Sequence, residues 1–196
     1  MKTHVYLTLS FMLIIAGCVP SLHQLWTKDT LVYDDAIKGK YAEDSNVWEF
    51  VGDPEKKSYA LTIHEKDDKV SELTAHLVQV QDQRFLDMYP ADDAEIECGD
   101  WMKFHLLRSH LFMHVTATEP NLVIAAMDPD TVDKLLEEKP DWVKHEMLED
   151  DNDKRAVLTD LPENLQRFLL EGLTIKDFFG EPEALTPIKE DAPASP

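Results

Sequence analysis

Apolar and polar residues change rhythm three times along the chain. An apolar run covers residues 5–15, broken only by Thr8 and Ser10. From about residue 47 the period becomes two, the signature of half-buried strands. Residues 47–51 are rich in β-formers and stop at Gly52-Asp53-Pro54. Residues 58–65 place Tyr59, Leu61 and Ile63 on one face and Ser58, Ala60, Thr62 and His64 on the other. After the polar turn Lys66-Asp67-Asp68-Lys69, residues 70–80 return as a longer strand carrying Leu73, Ala75 and Leu77 on one face. Val78 and Val80 break that alternation, which predicts a bulge or burial on both faces. Residues 84–89 form the next strand, ended by Pro90. A long β segment is expected over 102–118, where Leu111, Met113, Val115 and Ala117 oppose His110, Phe112, His114 and Thr116. Residues 122–127 follow after the turn Glu119-Pro120-Asn121.

The rhythm turns helical late. Asp128-Pro129 is a helix start, an N-cap acceptor followed by proline at the first helical position. Val132, Leu135 and Leu136 form the stripe of that helix. A hairpin is expected over 142–148 and 155–159, then a second helix over 161–171, capped by Thr159 or Asp160 and ended by Gly172. Antiparallel strands with two late helices predict a mainly β, α+β domain: a closed barrel or strongly curved sheet with helices at an edge or opening. The divisions are residues 1–17 as a leader, 18–36 as an approach packed on the domain surface, 37–179 as the domain, and 180–196 as an acidic Pro-rich tail expected to be disordered.

The leading apolar run would span about 16 Å as a helix, half of a bilayer core, which is the length of a signal-peptide core and not of a membrane span. It ends in Ile15-Ala16-Gly17-Cys18. These four residues resemble the lipobox of bacterial lipoproteins: an aliphatic residue, a small residue, Gly or Ala, then Cys. The resemblance implies diacylglyceryl transfer to the Cys18 thiol and cleavage before it. It further implies N-acylation, so that two or more chains would anchor the protein stably. Val19 after the cysteine, where Asp would retain an enterobacterial lipoprotein in the inner membrane, favours the outer membrane and its periplasmic face.

Gly39-Lys40-Tyr41, entering the first apolar strand, resembles the Gly-x-Trp opening of lipocalin-type barrels, with tyrosine in place of tryptophan. That likeness implies a lipocalin-like barrel and leaves another antiparallel α+β arrangement open, with six or seven strands expected at hairpin spacing. The whole chain is similar to envelope lipoproteins of an uncharacterised kind. The features that carry this are the lipobox, Val19-Pro20-Ser21-Leu22-His23, Ala75-His76-Leu77-Val78 and Phe85-Leu86-Asp87-Met88-Tyr89-Pro90.

Charge and chemistry narrow the function classes. Nineteen Lys and Arg against 39 Asp and Glu give a net charge of −20 over 196 residues. That balance excludes nucleic acid, whose phosphates require clustered cations, and argues against purely electrostatic attachment to anionic lipid. With Cys18 lipidated, Cys98 is the one free thiol, set among acids that disfavour its thiolate. On a strand, His110 and His114 would stand ~13 Å apart, too far to share one ion, although His76 could join a set from another strand. Residues 149–153 resemble a calcium loop in composition alone, lacking its glycine, and read as a solvated hairpin turn. Ser109 and His110 point to opposite faces of a strand and make no dyad. No nucleophile elbow, phosphate loop or zinc-protease motif is present, so no enzyme, metal or cofactor is expected. Two functions remain: a structural or interaction lipoprotein contacting another envelope component, and a lipocalin-like module holding a small apolar ligand at the membrane surface.

Overall fold

The computed structural model describes residues 18–189 except 93, 95–97 and 151–152. The short strands β1 (Pro20–Ser21) and β2 (Leu31–Val32) precede the main series. That series is β3 (Gly39–Glu43), β4 (Asn46–Asp53), β5 (Ser58–His64), β6 (Val70–Val80), β7 (Gln83–Pro90), β8 (His110–Ala117) and β9 (Leu122–Ala126). A one-turn helix α1 (Asp100–Lys103) lies between β7 and β8. Helix α2 (Pro129–Glu138), the hairpin β10 (His145–Asp150) and β11 (Asp153–Leu158), helix α3 (Pro162–Gly172) and β12 (Glu183–Pro187) complete the order.

Strands β3 to β9 run up and down as antiparallel neighbours, and β12 enters between β3 and β9, closing an eight-stranded barrel. This is the mainly β, α+β class the pattern predicts, with the strand number of lipocalin-type barrels. The meander is interrupted before its last strand by α2, β10, β11 and α3. Outside the barrel, β1 pairs β8 antiparallel and β11 parallel, so the β10–β11 hairpin extends the sheet from the flank of β8.

Two cores follow from strand alternation. Inward-facing Tyr41, Trp48, Phe50, Tyr59, Leu61, Ala75, Leu77, Leu86, Val115, Ile124 and Leu185 fill the barrel. The opposite faces of β6, β7 and β8 present Val78, Val80, Phe85 and Phe112 outward, beneath Leu25, Val132, Leu136, Leu165, Phe168 and Phe178. This double burial accounts for Val78 and Val80: the register of β6 with β7 runs continuously from Leu73↔Pro90 to Val80↔Gln83 without a bulge. Asp128 caps α2 through the Thr131 amide (2.8 Å). In α3 the residue before the helix is Leu161, which has no side-chain cap bond. Asp160 instead ties the preceding chain, accepting from the amides of Lys144 and Leu161 and from Asn164 Nδ2. Gly172 ends α3 where the Phe178 ring leaves no room for a Cβ.

Two expectations are corrected. Residues 180–196 are not wholly an unstructured tail, because Glu183–Pro187 is a barrel strand with Leu185 fully buried. A strand with one inward apolar residue carries too little hydrophobic signal to read locally; the open seam between β3 and β9 supplies its ladder partners. The β segment expected from residue 102 begins only at His110, since Asp100–Lys103 forms α1 and its apolar side chains point to solvent. Residues 18–36 pack along the outer wall as expected, with Val19, Ser21 and Leu25 buried.

Candidate functional site

The two ends of the barrel differ in chemistry. At one end, Asp35–Ile37 form a 3-10 turn beneath the lumen. Tyr41 Oη donates to the carbonyls of Ala36 and Ile37 (3.0 Å each). Tyr59 Oη donates to the Asp34 carbonyl (2.9 Å) and accepts from the Asp34 amide (2.8 Å). Burial pushes the Tyr59 hydroxyl up to about 12, so it stays protonated and able to donate. Tyr33 stacks on Tyr59 at 5.1 Å, and Phe50 meets both Tyr41 and Tyr59 edge-on. Gly39 opens β3 with φ 133°, a conformation that favours glycine and lets the chain leave this floor. The Gly-x-Tyr motif therefore builds the closed end.

The opposite end carries the β3–β4 and β5–β6 turns, the long β7–β8 connection, the start of β12 and Cys18. The inward residues nearest it, Ile63, Leu73, Leu111 and Met113, are only half-buried. Glu43 accepts from Trp48 Nε1 (3.0 Å) and Asn46 Nδ2 (3.1 Å) on the rim. Partial burial of its carboxyl, then the Glu43 carboxylate hydrogen-bonded to it, push Glu183 upward. Cys18 stands two residues before Pro20, whose partner Leu111 lies at this end of β8. Its thiol is raised by burial and by the charge of Glu183. The expected lipidation residue thus sits against the barrel rim.

The β7–β8 connection is the most exposed apolar feature among the described residues. Trp101 is 84% exposed and Phe104 and Leu107 are 80% exposed each, with Met102 and Leu106 also solvent-facing. The Trp101 and Phe104 rings lie 6.1 Å apart. At its base Arg108 Nη1 lies 3.9 Å from Asp92 Oδ1. The strand expected over 102–118 hides this segment, since residues 102–109 fall inside it. The available signal was the loss of alternation in Trp101-Met102-Lys103-Phe104-His105-Leu106-Leu107. Beside it Asp92 is exposed, while positions 93, 95 and 97 lie outside the described residues. Cys98 is half-buried.

A second polar group occupies the outer wall. Asp87 is fully buried, and its Oδ1 lies 2.7 Å from His110 Nδ1 while Oδ2 accepts from the Leu25 amide (2.8 Å). His76 pairs Asp87 across β6 and β7, and burial holds its imidazole below the usual histidine range against the pull of Asp87. Trp26 lies over His76 and Tyr89 stacks on His110 (4.4 Å). His114 turns away to Gln83 Oε1 (3.0 Å) and is lowered by burial, so His110 and His114 have separate partners. Both stand on β8, as the strand pattern predicts. Ser21, opposite His110, spends its hydroxyl on the His23 carbonyl and is not aimed as a nucleophile. The cluster fastens the N-terminal segment: Gln166 of α3 adds bonds to the Leu25 carbonyl (2.8 Å) and Thr30 Oγ1 (3.1 Å). Among the described residues, no group of three or more His, Cys, Asp or Glu is placed to hold a metal ion. Strands β10 and β11 pair as far as Asp150↔Asp153, around the acidic turn whose tip is outside the described residues.

Two surface clefts lie elsewhere. One of about 670 Å³ is lined by Glu138, Lys139, Trp142, Glu171 and Ile175, where Trp142 donates to Glu171 and Lys139 Nζ lies 5.4 Å from the Trp142 ring. The other, about 450 Å³, lies by Arg84 and His114 at the closed end. No family model matches the chain, and no curated protein and no solved structure matches it either.

Proposed function

We propose that the protein is a lipid-anchored envelope lipoprotein that holds a β-barrel at a membrane surface as a structural or interaction module. One observation carries this reading: the lipobox cysteine lies at a barrel rim, immediately before a strand pinned into the sheet. Pro20 and Ser21 pair with β8 and β11, and the Leu22 amide donates to the Leu158 carbonyl (2.9 Å). Acyl chains on Cys18 would therefore hold the domain close to the bilayer with its loop end toward the lipid. Val19 after the cysteine favours the outer membrane, and the proposed side is its periplasmic face. The filled closed end supports a structural module over a deep ligand tunnel.

Fatty-acid labelling and detergent partitioning test this reading. The wild type takes the label and enters the detergent phase, and Cys18→Ser loses both and accumulates as an uncleaved precursor. Unchanged labelling in that variant overturns the assignment. A second reading rests on the half-buried Ile63, Leu73, Leu111 and Met113 near the loop end, which would offer an apolar ligand a shallow berth. Lipid extraction of the purified native protein followed by mass spectrometry distinguishes the two. A stoichiometric apolar molecule favours the binding module, and its absence favours the structural one.

A further inference from the structure

We propose that the β7–β8 connection is a second membrane contact, with Trp101, Met102, Phe104 and Leu107 entering the interfacial layer of the bilayer beside the acyl anchor. This rests on the lipoprotein reading and adds the partner of the exposed loop. Exposure alone does not name an occupant; three observations do. First, Cys18 lies beside Glu183, which bonds Glu43 at the β3–β4 turn, and that turn is on the end of the barrel from which the β7–β8 connection leaves, so loop and anchor share one end. A body held there by Cys18 brings the loop to the lipid surface whether or not the loop binds. Second, its side chains suit an interface more than a protein groove. Tryptophan and phenylalanine at a tip, on a helix of a single turn, form a small wedge, and tryptophan favours the headgroup layer. Third, the apolar tip is free of acids although its base is not. Residues 101–107 carry Lys103 and no acid, while acids stand at positions 92, 93, 95, 97 and 100 and Arg108 lies beside Asp92. An acidic body would be repelled by anionic lipid over about a Debye length, ~8–10 Å, so charge does not draw this segment in. Apolar burial then supplies the attraction that the net charge withholds.

The test uses the full-length lipidated protein reconstituted into vesicles of phosphatidylethanolamine and phosphatidylglycerol, with and without brominated acyl chains. Trp26 is half-buried, Trp48 lies inside the barrel and Trp142 packs on Phe168 and Phe178, so only Trp101 is placed to meet lipid. The expected result is bromine quenching of the wild-type emission that is lost in Trp101→Phe. Quenching should also weaken in the double variant Phe104→Ser, Leu107→Ser, which keeps Trp101. Those side chains are exposed, so the fold is not at stake. Absence of quenching in protein that carries the fatty-acid label overturns the membrane contact and leaves the lipoprotein reading standing. Protein that takes no label and does not join vesicles overturns both. A blue-shifted Trp101 emission that grows with protein concentration without lipid makes a second copy the occupant and overturns the proposal.

Discussion

The closed and loop ends of the barrel are built from the same alternating strands, yet they spend their aromatic residues in opposite ways. At the closed end Tyr41, Phe50 and Tyr59 are buried against one another, and both hydroxyls bond to the backbone of residues 34–37. At the loop end Trp101 and Phe104 face water, and the inward Ile63, Leu73, Leu111 and Met113 are covered only in part. One end therefore contributes to stability. The other keeps apolar surface uncovered, which a monomeric soluble domain seldom does without a use for it. The contrast separates residues that hold the fold from residues that leave apolar surface uncovered, without any motif.

Phe50→Ala breaks the comparison most directly. Truncating this ring should cost about 4 kcal/mol in a denaturant titration, whereas Phe104→Ala should stay within about 0.5 kcal/mol. Equal effects would show that the two ends are not different in kind. Asp87→Ala, on the outer wall, should cost about 3 kcal/mol, because it strips a buried partner from His110 and from the Leu25 amide. Faster proteolysis around residues 22–30 is the local readout. Tyr59→Phe, which keeps the ring and removes the bonds to Asp34, should cost about 1 kcal/mol.

The smallest effects are pH effects of opposite sign. Burial depresses His76 and His114, so their neutral forms stabilise the fold. That contribution is full above the unfolded value, ~6.5, and is lost as pH falls through the depressed folded values. Melting temperature should therefore drop below about pH 6.5, and less so in a His76→Gln, His114→Gln variant. Glu183 is raised, so the fold favours its protonated form. Its contribution is full at acid pH and is lost as pH rises from the unfolded value, ~4.3, through the raised folded one. Glu183→Gln should raise the melting temperature slightly at pH 7 and leave it unchanged near pH 4; a drop at pH 7 would mean that Glu183 is a favourable partner on the rim.

Much of this architecture was legible in the pattern. Strands β4 to β7 and β9, and helices α2 and α3, appear within a few residues of where alternation and the Asp128-Pro129 cap put them. Each buries a regular face, and a regular face leaves a periodic trace. Leu185 was not legible, since one apolar residue in an acidic Pro-rich stretch has no period. Nor was Asp87, a charge within a strand whose pairing to His110 and Leu25 spans 23 and 62 residues. The exposed loop was misread because apolar residues ordinarily imply burial, and here they are left uncovered.

By itself, the chain determined the local terms: the strand and helix periods, the turn and cap chemistry, the acidic charge, and the lipobox-like motif Ile15-Ala16-Gly17-Cys18. These depend on neighbours within a few residues, where steric and hydrogen-bonding preferences act directly. Only the tertiary structure decided which seam β12 would close, which faces of β6, β7 and β8 would be buried twice, and that Cys18 and the Trp101 loop would share one end of the barrel. Those outcomes depend on strand pairing between residues far apart in sequence, whose register follows from closing the barrel as a whole and leaves no signature in any single segment.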